Sequence, residues 1–181
     1  MKKAILFFSL FAVTGAVMAQ KLVTTSAVIS FDATTPKDAL PKAENKTVIA
    51  SYDKTSGALM FEAAVNNFAF SNAMIQKHFN DAKWLNSAEY PKFTFSGNVN
   101  KPEKIKFEKD GTYDVEVKGV LTIKDVSKEI ETPATVTISG GKVTANSTFS
   151  IKLKDYNVNG QAIEAGKVAE KPAITVTASF N

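Results

Sequence analysis

Apolar residues recur at every second position through most of this 181-residue chain, and this alternation limits the folds open to it. The period is clear where Leu59, Phe61, Ala63 and Val65 alternate with other residues. Successive side chains of a β-strand point to opposite faces, so a period of two predicts strands with one buried face. The chain is therefore predicted to be mainly β.

The period changes once, in the segment 65–99, which also contains the only tryptophan and the only histidine. Met74, Ile75, His78 and Phe79 follow the i, i+1, i+4, i+5 spacing of one helix face. A Tyr-Pro step then ends any helix, because the residue before a proline is disfavoured in the α region. The sequence predicts one short helical insertion, rich in large apolar side chains, in a β-protein.

Nine alternating segments, some of them short, predict about eight strands; they are residues 22–31, 47–52, 59–65, 93–99, 104–107, 113–123, 129–139, 142–153 and 173–180. Short turns join most of them, and Gly140-Gly141 is a typical hairpin turn. Residues 32–45 and 154–171 have no clear period and are predicted to be loops. Gly119 interrupts the strand 113–123 and predicts a bulge or a bend there.

A series of antiparallel strands can hide its edges by packing as two sheets or by closing into a barrel. Two features favour a closed barrel of eight antiparallel strands. The first and last predicted strands are both long and regular, so they can pair with each other. Several strands also approach ten residues, a length typical of tilted barrel strands.

The N-terminus has the layout of a secretory signal peptide. Two lysines precede the apolar run 4–13, and small residues precede a cleavage position near Ala19-Gln20. A transmembrane anchor is the alternative, but the run is shorter than the ~20 residues that cross a bilayer. We expect residues 1–19 to be removed, residues 20–181 to fold as one domain, and the protein to be periplasmic or secreted.

Charge and composition exclude several functional classes. The chain has a net charge of +4, and removal of the two signal-peptide lysines leaves 20 basic and 18 acidic residues, or +2. Arginine is absent, and the lysines alternate with acids, which argues against nucleic-acid binding. Without cysteine there is no disulfide, thiol nucleophile or cysteine-ligated metal.

Catalysis by this chain has little support in the sequence. A mechanism that uses imidazole must use His78, with Ser71, Ser87 or Ser96 as partner and Asp81 or Glu89 to orient it. No G-x-S-x-G turn displays a serine, and one histidine with scattered acids does not form a metal site. We predict no enzyme activity and no cofactor, and interpret His78 as a packing or hydrogen-bonding residue.

Three motifs in order resemble the YceI-like family and span most of residues 22–180. They are the run from His78 through Tyr90-Pro91 to Gly97, then Val117 to Lys128, and finally Lys154 to Val158. The resemblance implies a lipocalin-like antiparallel barrel of eight strands with a helix beside it. It also implies export, and an isoprenoid or other amphiphilic chain bound inside the barrel.

The predicted inward residues mix large and small side chains, and small ones leave room for a guest. Burial yields about 0.8 kcal/mol per methylene, so an apolar chain can be held without polar contacts. The predicted lipid-binding residues are Phe68, Phe70, Met74, Ile75, Phe79, Trp84, Phe93, Phe95, Leu121, Phe149 and Ile151.

The leading hypothesis is an exported carrier of a hydrophobic or amphiphilic small molecule, isoprenoid or fatty-acid-like, with the insertion as lid or wall. The alternative is a stress-response or interaction module with a filled barrel and an exposed apolar patch. A third hypothesis is an enzyme that depends on His78. Neither nucleic acid nor stable membrane insertion is expected, and the sequence leaves monomer and homodimer open.

Overall fold

The computed structural model describes residues 21–180. The predicted signal peptide, residues 1–19, lies outside the described residues. Among residues 21–180, no helix has the length and apolar character needed to cross a membrane.

Nine strands and two short α-helices make up most of the regular structure of residues 21–180. The strands are β1 Lys21–Asp32, β2 Lys42–Asp53, β3 Ala58–Ala64, β4 Ala69–Phe70, β5 Lys92–Asn100, β6 Gly111–Ile123, β7 Val126–Ser139, β8 Lys142–Ser150 and β9 Ala173–Phe180. The helices are α1 Ala73–Asn80 and α2 Gln161–Glu164.

Eight of the strands close into an antiparallel barrel. Their order is β1-β9-β8-β7-β6-β5-β3-β2, and β2 pairs again with β1 to complete the ring. The pairing of the first and last strands, with Phe31 opposite Ile174, confirms the predicted closure. Closure leaves none of these eight strands at an open edge. The two-residue strand β4 is an extra strand, paired with the start of β2.

The period of two places one set of side chains inside the barrel. Tyr113, Val136, Ala145 and Ala178 are register partners on the adjacent strands β6, β7, β8 and β9, so they form one inward-facing layer. Val136 and Ala178 are buried. The alternation that predicted the strands therefore also defines the barrel interior.

Gly119 does not form the predicted bulge, and its pairing with β5 and β7 runs without a register shift. It lies opposite Gly97, and a Cβ added to Gly119 would lie 2.6 Å from the Gly97 Cα and 2.6 Å from the Phe95 Cζ. The two glycines let β5 and β6 approach closely under the Phe95 ring. The register shifts occur in β1 instead, on both sides of Ala27.

Some predicted boundaries were wrong. Residues 104–107 do not form a strand, because a short 3₁₀ turn at Pro102–Lys104 begins a loop up to β6. The strand predicted over 129–139 begins earlier, at Val126, because only Lys124 and Asp125 form the turn after β6. The strand predicted over 142–153 ends at Ser150.

The two ends of the barrel differ in what covers them. At the upper end lie the loop 33–41, the insertion (residues 65–91, with β4 and α1) and the β8–β9 segment (residues 151–172, with α2). At the lower end lie the β2–β3 turn, the β5–β6 loop (residues 101–110) and the Gly140-Gly141 turn. Both glycines of that turn have positive φ, 55° and 82°, as the predicted hairpin requires.

Candidate functional site: an apolar cavity inside the barrel

The barrel interior holds a cavity. Its volume is about 180 Å³. An apolar cavity of about 150 Å³ can bind a small hydrocarbon, so this one has room for part of an apolar guest. The completely filled interior that the alternative hypothesis requires is therefore not what the structure shows.

The wall of this cavity is almost entirely apolar. None of its lining residues within the described chain is Asp, Glu, Lys or His. Burial raises the pKa of the Tyr52 phenol to about 12, with a further contribution from the Asp53 carboxylate. Burial also raises the pKa of Tyr156, again with an acidic neighbour, Asp155. Both phenols are thus neutral near pH 7, and the wall carries no charge.

Eight of the eleven predicted lipid-binding residues line the cavity: Phe68, Phe79, Trp84, Phe93, Phe95, Leu121, Phe149 and Ile151. Five of them come from the strands or their continuation, where the period of two placed them correctly inside. The other three come from the insertion, whose side chains reach the cavity from above. Contact with a ligand stays a prediction for all eight.

Phe70, Met74 and Ile75 do not line the cavity. Phe70 packs instead against Phe79, with ring centroids 4.8 Å apart. Met74 is 67% exposed, since α1 has only two turns and buries a single residue, Phe79. The helix face that the spacing predicted is therefore largely solvent-facing, and one side chain connects the helix to the interior.

The insertion is positioned by an aromatic cluster and by polar contacts. The Phe79 ring lies 5.8 Å from the ring of Phe31 and 5.7 Å from that of Phe68, between centroids. The Asn72 side chain caps α1 by accepting hydrogen bonds from the N–H groups of Met74 and Ile75. Specific contacts therefore hold both the N-terminus of α1 and its buried residue Phe79 in place.

Gln76 joins α1 to the neighbouring strand. Its Nε2 donates to the Phe68 carbonyl oxygen at 2.7 Å, and its Oε1 accepts from the Phe70 N–H at 2.9 Å. These two contacts hold the residue before β4 and the last residue of β4 against the helix. As a result Phe68 and Phe79 enter the barrel as one unit.

The two upper segments meet at Trp84. A Cβ built on Gly160 would lie 3.5 Å from the Trp84 Cζ3, which is ordinary van der Waals contact. Lys124, in the β6–β7 turn, lies between the same segments: its Nζ is 3.5 Å from the Asn157 carbonyl oxygen and 6.0 Å from the Tyr90 ring centroid. Trp84 is thus both a wall residue and part of the cover.

Sequence reasoning missed several wall residues, among them Tyr52, Leu85, Ile105, Phe107, Tyr156 and Val158. Tyr52 continues the alternation of Val48 and Ala50, so its inward direction could have been predicted from β2. Phe107 comes from the lower loop, where its ring centroid lies 5.9 Å from that of Tyr52. A loop residue of this kind has no periodic signal.

The candidate catalytic residues do not converge. His78 is exposed and makes no side-chain hydrogen bond within the described chain, so the expected packing or hydrogen-bonding role was wrong. Ser87 is buried, and its hydroxyl donates to the Asn80 carbonyl oxygen at 3.3 Å. Among residues 21–180, no three His, Cys, Asp or Glu side chains group in a way that could hold a metal ion.

The outer face carries an exposed apolar row. Val23, Met60 and Val120 are 55%, 57% and 39% exposed. Register places them at one level of the sheet, with Ser51 and Ser96 between them. The interaction-module hypothesis requires such a surface together with a filled interior, and only the surface is present.

A family model described as "YceI-like domain" matches residues 12–180 of the chain. No curated protein matches the sequence of this chain.

Solved structures from three organisms share the fold. A domain from Saccharophagus degradans, described as a polyisoprenoid binding domain implicated in plant cell wall breakdown, has a TM-score of 0.75 at 13% identity, over 90% of this chain and 98% of that one. BcnA from Burkholderia cenocepacia has a TM-score of 0.68 at 20% identity, over 84% and 96%. The YCEI protein of Campylobacter jejuni has a TM-score of 0.53 at 16% identity, over 100% and 99%.

Proposed function

Because this chain belongs to the YceI-like domain family, we propose that it is an exported binding protein that holds a lipid-like amphiphile inside its barrel. The ligand is an isoprenoid or acyl chain, held for transport, storage or sequestration. The single observation that carries the proposal is the uncharged, apolar cavity in the barrel. The predicted signal peptide supports a periplasmic or secreted location.

The cavity chemistry suits a hydrocarbon chain. Burial of a dozen methylene or methyl groups contributes roughly 10 kcal/mol at about 0.8 kcal/mol each. The loss of motion on binding offsets part of that gain, and the remainder is sufficient for useful affinity. The description of the Saccharophagus degradans domain as polyisoprenoid binding supports an isoprenoid over other apolar guests.

The proposal is for a binding protein and not an enzyme. The lining residues include no His, Asp, Glu or Lys that could act as a base and activate a hydroxyl, and the ionisable members of the wall are phenols with raised pKa values. Binding by apolar burial alone requires none of these groups.

Two measurements test the proposal. Native mass spectrometry after mild purification, followed by organic extraction, should detect a copurified lipid. The delipidated protein should bind a hydrophobic dye that prenyl or acyl chains displace, and the emission of Trp84 should change on binding, because this only tryptophan lines the cavity. A protein that carries no lipid and ignores both classes of chain would overturn the proposal.

A matched pair of variants locates the site. Ala145 lines the cavity, whereas the side chain of its neighbour Thr144 points to the opposite face of β8. Ala145→Trp should fill part of the cavity and lower chain affinity by about tenfold, equivalent to about 1.4 kcal/mol. Thr144→Trp should leave affinity within about twofold. Equal effects of the two substitutions would place the ligand outside the barrel.

A further inference from the structure

An aromatic ring lies between the lower end of the cavity and solvent. Phe107, in the β5–β6 loop, is half-buried and lines the cavity. The Lys54 Nζ lies 5.0 Å from the centroid of the same ring, and no lysine lines the cavity in the described chain. An ammonium group keeps its contact with water, so Lys54 and the apolar space lie on different sides of the Phe107 ring.

The β5–β6 loop is fixed to its neighbours on both sides. The Tyr113 hydroxyl on β6 lies 3.2 Å from the Lys106 carbonyl oxygen and 2.9 Å from that of Lys109. On the other side, a Cβ built on Gly57 would lie 3.0 Å from the Pro102 Cβ, so the β2–β3 turn packs closely on the start of the loop. We therefore expect the aromatic ring of this loop to stay in place when a ligand binds.

The cavity wall offers no partner to a polar group of the ligand. Among the described residues, no Asp, Glu, Lys or His lines it. The Tyr52 hydroxyl, at the lower end, is buried and without a hydrogen-bond partner in the described chain. Since burial of an unpartnered polar group is costly, the polar end of an amphiphile stays outside the cavity. Because the β5–β6 loop closes the lower end, that polar end lies at the upper end.

The cavity is long and narrow between the two ends of the barrel. Its lining residues include Trp84 at the upper end and Phe107 at the lower end. On β6 they run from Val115 to Ile123, a stretch that covers about 20 Å along the barrel axis, given the rise and tilt of a barrel strand. A volume of about 180 Å³ spread over that distance excludes a second chain beside the first. The cavity therefore suits a ligand with a single hydrocarbon chain.

We propose that Phe107 limits the length of the chain that the cavity accepts. A single hydrocarbon chain enters at the upper end with its apolar tail first, and its far end stops at the Phe107 ring. Methylene groups up to this limit leave water on binding, and those beyond it stay outside. This inference rests on the proposed function and adds to it the orientation of the ligand and the residue that determines chain-length preference.

A series of unbranched fatty acids, from eight to twenty carbons, tests the limit by dye displacement. Affinity should rise about fourfold for each added methylene that becomes buried. The rise should end at one chain length, because further methylenes remain in water. An affinity that rises through the whole series would overturn the inference.

Two matched variants remove the same ring from the two ends of the wall. Phe149 lines the cavity near the upper end, opposite Ile174 on β9, so chains of every length pass it. Phe149→Ala should change their affinities by a common factor. Phe107→Ala gives space only to chains that reach the lower end. It should raise the affinity ratio of a chain above the limit to one below it by at least about tenfold, as for two further buried methylenes.

The variant Phe107→Leu keeps a large apolar side chain in the loop and tests the inference even if Phe107→Ala does not fold. It should raise the same ratio by about fourfold, as for one further methylene. A ratio equal to that of the wild type in the folded Phe107 variants would contradict the inference alone. If no fatty acid of the series and no prenyl chain binds the wild type, the proposed function itself fails.

Trp84 reports the orientation of the chain, because it is the only tryptophan and lines the cavity at the upper end. Two fatty acids of equal length are compared, one brominated near the carboxylate and the other near the methyl end. Bromine quenches tryptophan emission at short range, so the first should quench Trp84 more strongly. Stronger quenching by the second would place the tail at the upper end and overturn the inference.

Discussion

The two ends of the barrel are closed in different ways. At the lower end, Ile105 is 5% exposed and Phe107 lines the cavity, so the β5–β6 loop inserts its own side chains. The Tyr113 hydroxyl, 2.9 Å from the Lys109 carbonyl oxygen, binds that loop to β6. The side chains of this short loop therefore close the lower end of the barrel, which we call the floor.

At the upper end, two long segments cover the barrel without a hydrogen bond between them among residues 21–180. The β8–β9 segment is fixed to the loop 33–41, for example by the Ala169 N–H that donates to the Ala33 carbonyl oxygen at 2.9 Å. The insertion is fixed to the barrel by its aromatic cluster. Between the segments lie Trp84, whose ring is close to Gly160, and Lys124. We therefore expect ligand exchange at the upper end.

The largest effect should come from the anchor of the insertion. Phe79 is 7% exposed within its aromatic cluster, so Phe79→Ala should lower the free energy of unfolding by about 3–5 kcal/mol and accelerate ligand release. Met74→Ala, on the exposed side of the same helix, should change stability by less than about 0.5 kcal/mol. Denaturant unfolding measures both. A loss below about 1 kcal/mol for Phe79→Ala would mean that the upper cover depends on other contacts.

A smaller effect should appear at high pH near the lower end. The Tyr52 hydroxyl is buried without a hydrogen-bond partner in the described chain, and its pKa is raised from 10.0 to about 12. Above pH 10 the unfolded chain loses this proton while the folded protein keeps it, so ionisation favours unfolding and stability falls up to pH 12. The Tyr52 contribution to that fall is at most about 3 kcal/mol, for two pH units.

The variant Tyr52→Phe isolates this contribution. Below pH 10 it should be as stable as the wild type or slightly more stable, because it lacks an unpartnered buried hydroxyl. Between pH 10 and 12 its free energy of unfolding should fall less steeply. If the two proteins have parallel stability curves across that interval, the Tyr52 pKa is the same in the folded and the unfolded protein.

We expect the smallest effects from the removal of one lysine at each end of the barrel. Lys124 lies at the upper cover, and the Lys54 Nζ lies 5.0 Å from the Phe107 ring centroid at the floor. Lys124→Met and Lys54→Met should each cost about 1 kcal/mol of stability or less, typical of exposed cation–π contacts. Only Lys124→Met should accelerate ligand dissociation in stopped-flow measurements. An equal acceleration by Lys54→Met would contradict exchange at the upper end.

The cavity-lining residues of the strands could be predicted because a period of two shows which side chains of a strand point to the same face. Phe93, Phe95, Leu121 and Phe149 all continue a period of two, and each lines the cavity. For the insertion, the sequence could not show which side chains reach the cavity. A two-turn helix can bury any of several faces, and the packing of Phe79 among Phe31, Phe68 and Phe70 selected one.

The sequence by itself determined a mainly β chain with a single helical insertion, and it indicated closure by way of two regular terminal strands. These properties depend on local period and length, which are present in the order of residues. Only the tertiary structure decided that the closed barrel stays hollow and that Tyr52 and Phe107 meet at its floor. Each of these depends on distances between strands and loops remote in sequence, which no local pattern specifies.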